Sequence, residues 1–128
     1  MAVKRVYMKQ KKTLILGATT NPARYAYLAA HRLVAAGHEI INIGIKKGEA
    51  AGVEIQPAGA VLPDIHTITL YIGPQRQPEY YDYLLETHPE RIIFNPGTEN
   101  PELEALAKQH GIEVVPACTL VLLSTGQY

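Results

Sequence analysis

The chain has 128 residues, 47% of them hydrophobic and 19% charged, a composition that suits one globular domain with a proper core. Its net charge of zero argues against a protein that binds nucleic acid by neutralising many phosphates. The single cysteine rules out an internal disulfide framework, and no early segment is apolar enough for a secretory signal or a membrane span, so we expect a cytoplasmic location.

Positive charge is concentrated at the start of the chain. Five of the twelve basic residues fall within the first twelve positions, and no acidic residue accompanies them. We interpret residues 1–12 as a basic leader, a kind of segment that is usually solvated, and residues 13–128 as a single domain. The basic residues of the leader are Lys4, Arg5, Lys9, Lys11 and Lys12.

The first third of the domain predicts a βαβ unit. The apolar run from Thr13 to Leu16, ended by Gly17, is typical of a strand that is buried on both faces of a parallel sheet. A helix is expected after Pro22 and before Gly37, and a β-branched strand follows from His38 to Ile43. The apolar residues at helical spacing are Ala26, Ala29, Ala30 and Leu33.

The middle of the chain is rich in residues that break regular structure. Six glycines and prolines between residues 44 and 64 predict an irregular crossover with one short strand near Val53 to Ile55. A strand from His66 to Ile72 ends at Gly73-Pro74, and a helix is expected from Pro78 to Glu86. We interpret its tyrosines as packing residues rather than ligand stackers.

The last third continues the alternation. Arg91 to Phe94 is the fourth predicted strand, and Asn100 followed by Pro101 predicts a capped helix start. Ile112 to Val115 is the fifth strand, and Thr119 to Leu123 is expected to add an edge strand. The fold class is therefore α/β: a Rossmann-like, doubly wound, mainly parallel five-stranded sheet with helices on both faces.

In such a sheet, ligands bind beyond the carboxyl ends of the strands, so the turns after the strands are the candidate binding residues. The first turn offers backbone N–H groups, two hydroxyls and a helix N-terminus, which together favour a phosphate. Arg24 could add a charge-assisted hydrogen bond. The alternative is an ordinary strand-to-helix turn, and the βαβ context favours the phosphate site. The turn consists of Gly17, Ala18, Thr19, Thr20, Asn21 and Pro22.

Two well-known nucleotide motifs are missing from this turn. The dinucleotide fingerprint has glycine where Thr19 and Pro22 stand, and an acid after the second strand to bind the ribose hydroxyls. Here Lys46 follows that strand and favours a phosphorylated ribose, although a solvated loop lysine is the commoner explanation for Lys46 alone, because Lys47 follows it. No glycine-lysine-serine or glycine-lysine-threonine triplet follows the first strand, which disfavours hydrolysis of ATP or GTP.

Gly73 and Pro74 after the third strand, Gly97 after the fourth and Cys118 after the fifth complete the candidate binding residues. The five histidines are interpreted as solvent-facing or capping residues, since no pair has the spacing of metal ligands. We therefore assign no catalytic residue and no metal site.

Motifs along the chain resemble those of the CoA-binding domain family, relatives of the amino-terminal domain of the succinyl-CoA synthetase alpha subunit. The resemblance extends from Thr13 to about Leu120. It rests on Gly17-Ala18-Thr19, Asn21-Pro22, Arg24, Tyr27, Gly37, Lys46, Pro74, Pro78, Gly97, Asn100 and the Gly-Ile-Glu-Val-Val segment before Cys118.

The resemblance implies a stand-alone domain that binds coenzyme A, with the pyrophosphate on the first turn and the adenosine end near the end of the second strand. It does not imply ligase activity, because the synthetases use a phosphorylated histidine in a further domain. A Cys118 thiol at this edge could form a mixed disulfide with coenzyme A, whereas a small buried cysteine is the commoner case. The residues that the resemblance makes contacts are Gly17, Ala18, Thr19, Asn21, Arg24 and Lys46.

The chain departs from the family pattern at three places. Gly44-Ile45-Lys46 stands where the family often has Asn-Pro-Lys, and Ile72-Gly73 stands where it has two arginines. Pro116-Ala117-Cys118 replaces Asp-Arg-Cys. These departures predict a site with less positive charge than is usual in the family.

The leading hypothesis is binding of coenzyme A or an acyl-coenzyme A as a small-molecule ligand, with no assigned catalysis. One alternative is an NAD(P)-linked oxidoreductase or sensor, although the missing glycines and the missing ribose acid count against it. Another is a degenerate nucleotide-binding scaffold whose tyrosine-rich helix binds a partner protein. A protein partner or a homo-oligomer is left open, and neither nucleic acid nor a membrane is expected.

Overall fold

Seven strands and four α-helices make up the computed structural model, which describes residues 10–128. Most of the predicted leader, including Lys4, Arg5 and Lys9, lies outside the described residues. The strands are β1 Thr13–Leu16, β2 Ile40–Ile43, β3 Gly48–Ala50, β4 Val53–Gln56, β5 Thr67–Leu70, β6 Arg91–Phe94 and β7 Glu113–Val115. The helices are α1 Tyr25–Ala35, α2 Tyr81–Thr87, α3 Pro101–Gln109 and α4 Thr119–Ser124, and short 3-10 turns span Pro74–Arg76 and Pro78–Tyr80.

All seven strands belong to one sheet in the order β3-β4-β2-β1-β5-β6-β7. Every neighbouring pair is parallel except β3 and β4, which form an antiparallel hairpin. The central strand β1 is level with both neighbours, since Leu16 lies opposite Ile43 on β2 and Leu70 on β5. The turns that follow these three strands therefore emerge side by side. The prediction of a mainly parallel α/β sheet is confirmed, and the count of five strands is wrong.

Strands β3 and β4 account for the two additional strands, since β4 is the short strand predicted near Val53 to Ile55 and was not counted among the five. The three-residue strand β3 was not predicted, because only Ala50 in it is buried and so short a segment carries no periodic pattern. The predicted edge strand from Thr119 to Leu123 is wrong, because this segment forms helix α4. Short apolar runs do not distinguish strand from helix, and here Leu122 and Leu123 pack on the core beside α1.

Helices cover both faces of the sheet, as predicted. On one face, Leu14 and Leu16 of β1 share a core cluster with Leu84 of α2 and Leu103 of α3. On the other face, Ile15 packs in a second cluster with α1 and the end of α4. The four apolar residues predicted for the inner side of α1 are all buried. No helix within the described residues is long and apolar enough to cross a membrane.

The three predicted helix starts differ in outcome, and the helix predicted from Pro78 begins as a 3-10 turn, with α2 starting at Tyr81. The Asn100 side chain accepts hydrogen bonds from the amides of Glu102 and Leu103, which confirms it as the cap of α3. Helix α1 begins at Tyr25 rather than at Pro22, because a turn forms first: the Asn21 side chain accepts a hydrogen bond from the Ala23 amide at 3.0 Å.

Buried polar side chains fasten α4 and the residues after it to the sheet. The Asn95 side chain accepts a hydrogen bond from the Thr119 amide at 2.9 Å and donates to the Thr69 hydroxyl at 2.7 Å. The Tyr128 hydroxyl lies 2.6 Å from the Thr13 hydroxyl. Each of these polar groups therefore has a partner in the interior, where an unpaired one would be destabilising.

His38 is buried beside Tyr128, with 5.0 Å between the ring centroids. Its Nδ1 accepts a hydrogen bond from the Lys11 amide at 2.9 Å, so the neutral ring carries its proton on Nε2. Burial lowers the pKa of His38 below its usual value of 6.5, and the positive charges of Lys11 and Arg91 and the neighbouring His66 act in the same direction. The folded protein therefore holds this imidazole neutral.

We expect the protein to lose stability in mild acid through His38. In the unfolded chain the imidazole takes up a proton as the pH falls through about 6.5, whereas the folded protein resists protonation until the pH reaches its lowered pKa. The free energy of unfolding should thus be independent of this group above pH about 7 and should fall below pH about 6.5. Urea denaturation across this range measures the slope.

The variant His38→Asn should flatten that slope, because the amide oxygen can accept the Lys11 hydrogen bond without titrating near neutral pH. His31→Gln, a change of an exposed histidine on α1, is the matched control and should leave the slope as in the wild type. An unchanged slope in His38→Asn would show that another group causes the acid sensitivity.

Candidate functional site

A cleft of about 390 Å³, called here the main cleft, opens at the carboxyl edge of the sheet beyond β1, β2 and β5. Three separate segments of chain form it: the turn after β1, the segment after β2 and the loop after β5. It is lined by residues 16–21, Arg24, residues 43–46, Tyr71, Ile72, Arg76 and Tyr80. Doubly wound sheets bind their ligands beyond the carboxyl ends of the strands, and the main cleft lies at that edge.

The backbone of the first turn is held close to its neighbouring strands. Gly17 has a φ of +102°, and a Cβ there would lie 2.7 Å from the Tyr71 carbonyl oxygen, so only glycine fits. The amides of Gly17 and Ala18 both donate to the Ile43 carbonyl at 2.9 Å. The turn is thereby fixed to the end of β2 before any ligand is present.

Three amides in and just after the turn have no acceptor among the described residues. No hydrogen bond within residues 10–128 uses the amide N–H groups of Thr19, Thr20 or Tyr25. Tyr25 is also the first residue of α1, where the helix dipole adds partial positive charge. Thr19 and Thr20 line the main cleft and Tyr25 lines the second cleft described below, so these amides are free to donate to an anion bound along the first turn.

The side chains of Thr19 and Asn21 shape the turn. The Thr19 hydroxyl oxygen accepts a hydrogen bond from the Asn21 amide at 3.1 Å, and the Asn21 side chain accepts one from Ala23. The Asn21 oxygen is therefore occupied, while the Thr19 hydroxyl proton is left to donate elsewhere. Asn21 acts as a positioning residue of the loop.

Gly44 and Gly48 let the segment after β2 pack against the first turn. A Cβ on Gly44 would overlap the Ala18 carbonyl oxygen, and a Cβ on Gly48 would overlap the methyl group of Thr20. Neither glycine was predicted to bring two chain segments together. In the structure they allow the two sides of the main cleft to approach each other.

Three cationic side chains line the main cleft, namely Arg24, Lys46 and Arg76, and no acidic side chain of residues 10–128 does so. Arg76 was not among the predicted site residues. The site was expected to carry less positive charge than is usual in the family, in part because two arginines of the family pattern are absent after β5. The 3-10 turn Pro74–Arg76 nevertheless brings a guanidinium to the cleft, four residues after Ile72.

A second cleft of about 220 Å³ adjoins the main cleft and extends to the turn after β6. It shares Gly17, Thr19, Arg24 and two further residues with the main cleft. Its remaining walls include Gly73, Tyr25 and residues 96–98. The two clefts together form one groove that crosses the carboxyl ends of β2, β1, β5 and β6.

Most of the predicted site residues come together in this groove. The main cleft brings together Gly17, Ala18, Thr19, Thr20, Asn21, Arg24 and Lys46, and the second cleft adds Gly73 and Gly97. Pro22, Pro74 and Cys118 line neither cleft: Pro22 is exposed in the turn, Pro74 starts a 3-10 turn, and Cys118 is the half-buried residue before α4.

Tyr71 lines both clefts and was not among the predicted site residues. Burial raises the pKa of its hydroxyl to about 12, and hydrogen bonds with Thr119 and Thr69 oppose the shift only in part. The phenol is therefore neutral at physiological pH. Its position directly after β5 is the signal that could have identified it, because ligand-binding residues follow the strands.

Comparison with known proteins finds a matching family and similar solved structures. A family model described as "CoA binding domain" matches residues 11–124. An uncharacterized protein of known crystal structure is 55% identical, covers 93% of this chain and 98% of its own, and superposes with a TM-score of 0.91. No protein of curated function matches this chain.

Two more distant structures share the fold. A protein from Thermus thermophilus is 22% identical, with 93% of this chain and 91% of that chain covered and a TM-score of 0.81. A hypothetical protein from Pyrococcus horikoshii OT3 is 24% identical, with 91% and 84% covered and a TM-score of 0.82.

Gly44→Ala should damage both the fold and the main cleft, because the new methyl group would overlap the Ala18 carbonyl oxygen and crowd Ile55. We expect a loss of about 1–3 kcal/mol in the free energy of unfolding, typical of overpacking, measured by urea denaturation. Gly59→Ala is the matched control. Its Cβ would meet only the Pro57 oxygen at 4.0 Å, so the change should stay within about 0.5 kcal/mol. Equal effects would mean that the close approach at Gly44 is not required.

Proposed function

Because the chain belongs to the CoA binding domain family, we propose that it binds coenzyme A or an acyl-coenzyme A in the main cleft. The observation that carries the proposal is the pairing of free amides with three cationic side chains in one cleft that holds no acidic side chain of the described residues. This set of groups suits a ligand with several phosphates.

Coenzyme A fits the chemistry of the donor groups. Its pyrophosphate would lie on the first turn, where the amides of Thr19, Thr20 and Tyr25 have no acceptor within residues 10–128. Arg24, which directly precedes α1 and makes no capping hydrogen bond with its side chain, is free to pair with the same group. A helix N-terminus with an adjacent arginine is a recurrent way to bind phosphate.

The phosphate on the ribose would lie towards the end of β2. Lys46 lines the main cleft there, whereas the neighbouring Lys47 does not. This difference favours a ligand role for Lys46 over that of a solvated loop residue. Arg76 enters the same cleft from the loop after β5, so the two cations can meet the phosphates from different sides.

The second cleft would receive the pantetheine arm. Lys46 lines the main cleft but not this one, and its additional walls include Gly97, Pro96 and Thr98, which carry no charge. A neutral arm built from amides and methylenes is compatible with such walls. The residues of the groove would hold and orient the ligand, and the proposal includes no reaction.

Titration calorimetry with coenzyme A and dephospho-coenzyme A tests the role of Lys46. The wild type should bind coenzyme A more tightly, because only that ligand carries the ribose phosphate. In Lys46→Ala the affinity for coenzyme A should fall about tenfold, while that for dephospho-coenzyme A should change little. Lys47→Ala is the matched control and should behave as the wild type. Absence of binding of either ligand would contradict the proposed function, and equal binding by the wild type would remove Lys46 from its role.

The two arginines of the main cleft can be tested separately. Arg24→Ala and Arg76→Ala should each weaken coenzyme A binding about tenfold and reduce its dependence on salt, since each removes one phosphate partner. Arg32→Ala, on the outer surface of α1, should leave both quantities unchanged. If Arg76→Ala bound like the wild type, the site would have only two cationic contacts.

A further inference from the structure

Gln77 has no exposed surface, although glutamine usually lies on the outside of a protein. It directly follows the 3-10 turn Pro74–Arg76 in the loop after β5. Its side-chain amide donates to two backbone carbonyls, that of Ile72 at 3.0 Å and that of Thr98 at 2.8 Å. Its side-chain oxygen accepts a hydrogen bond from the Asn100 side chain at 2.9 Å. Both protons and the oxygen of this buried amide are thus paired.

The two carbonyls belong to different walls of the groove. Ile72 is in the loop after β5 and lines both clefts, whereas Thr98 is in the turn after β6 and lines the second cleft. Within the described part of the chain, the hydrogen bonds between residues 72–77 and residues 96–100 all involve the Gln77 side chain. Gln77 therefore connects the two segments.

Arg76 lies inside the loop that Gln77 closes. The Arg76 amide donates to the Gly73 carbonyl at 3.0 Å, and the bond from Gln77 to Ile72 spans the same segment. Arg76 lines the main cleft, and within residues 10–128 no hydrogen bond or ion pair holds its side chain. The place of its guanidinium therefore depends on the backbone that carries it.

We propose that Gln77 is a positioning residue of the phosphate site: by joining the loop after β5 to the turn after β6, it places Arg76 in the main cleft. The inference rests on the proposed function and adds a residue that acts through another, since Gln77 lines neither cleft. A glutamate of the same shape could not replace it, because a carboxylate only accepts hydrogen bonds and both partners here are carbonyls.

The test is a double-mutant cycle between Gln77 and Arg76, read by titration calorimetry with coenzyme A. Gln77→Met keeps the length of the side chain and removes its three hydrogen bonds. Its affinity for coenzyme A should fall about tenfold, as in Arg76→Ala, and the dependence of binding on salt should fall with it. In the Arg76→Ala background, Gln77→Met should change the affinity by less than about twofold, because the cation that it positions is gone.

Thr13→Val is the matched control for a loss of stability alone. Thr13 also has no exposed surface, and its hydroxyl donates to the Lys11 carbonyl at the opposite end of β1 from the clefts. Like Gln77→Met, this change should lower the free energy of unfolding in urea, because it removes a buried hydrogen bond. The affinity for coenzyme A and its dependence on salt should stay as in the wild type.

Asn100→Ser tests the same connection by a milder change, and it decides the matter if Gln77→Met does not fold. Serine can still cap α3, but the amide that donates to the Gln77 oxygen is gone. This variant should also weaken coenzyme A binding, and only when Arg76 is present.

Unchanged affinity in the folded variants, or an equal loss with and without Arg76, would overturn the positioning role while the proposed function stood. Absence of coenzyme A binding by the wild type would contradict the proposed function, and with it the phosphate site that Gln77 is inferred to support.

Discussion

The close approach of the first turn to its two neighbouring strands is the constraint on which the site depends. Gly17 lies against the Tyr71 carbonyl after β5, and Gly44 lies against the Ala18 carbonyl after β2. A side chain at either glycine would push the turn away from a neighbouring strand. The Ile43 carbonyl at the end of β2 accepts hydrogen bonds from the amides of both Gly17 and Ala18. The backbone of the turn is therefore bonded to β2 and is in close contact with the segments that follow both β2 and β5. The amides that remain free are therefore rigidly placed, which lowers the entropic cost of binding an anion.

The same constraint explains why cations from distant parts of the chain meet. Arg24, Lys46 and Arg76 follow three different strands, and they converge because those strands run parallel with their ends level. A change in register of one strand would carry its cation away from the cleft. The positive charge of the site is therefore a property of the sheet rather than of any single motif. This is why the chain can lack arginines directly after β5 and still bring Arg76 to the same cleft.

The sequence predicted those parts that are governed by local patterns. Strands β1 and β6 match their predicted bounds, and the cap at Asn100 and the inner face of α1 follow from residue preferences alone. Predictions from the sequence were wrong or incomplete where contacts between distant residues determine the structure. Helix α4 carries an apolar run that suits a strand equally well. Its first amide, that of Thr119, donates a hydrogen bond to the side chain of Asn95, which is distant in sequence. Seven of the twelve candidate site residues line the main cleft, whereas Arg76 and Tyr71 could be recognised only once the loop after β5 had been placed.

The net charge of the whole chain does not indicate the local charge of the main cleft. After the first twelve residues the chain carries seven basic and twelve acidic residues, so residues 13–128 have a negative net charge. Three of those seven basic residues line the main cleft, and a fourth, Arg91, is buried and donates to Thr67. At physiological ionic strength, interactions between exposed charges are largely screened beyond roughly 8 Å. The proposed phosphate ligand would therefore interact mainly with the local cations, whereas a long polyanion would also extend over the acidic surface. The composition that argues against nucleic acid is for this reason compatible with a compact anion.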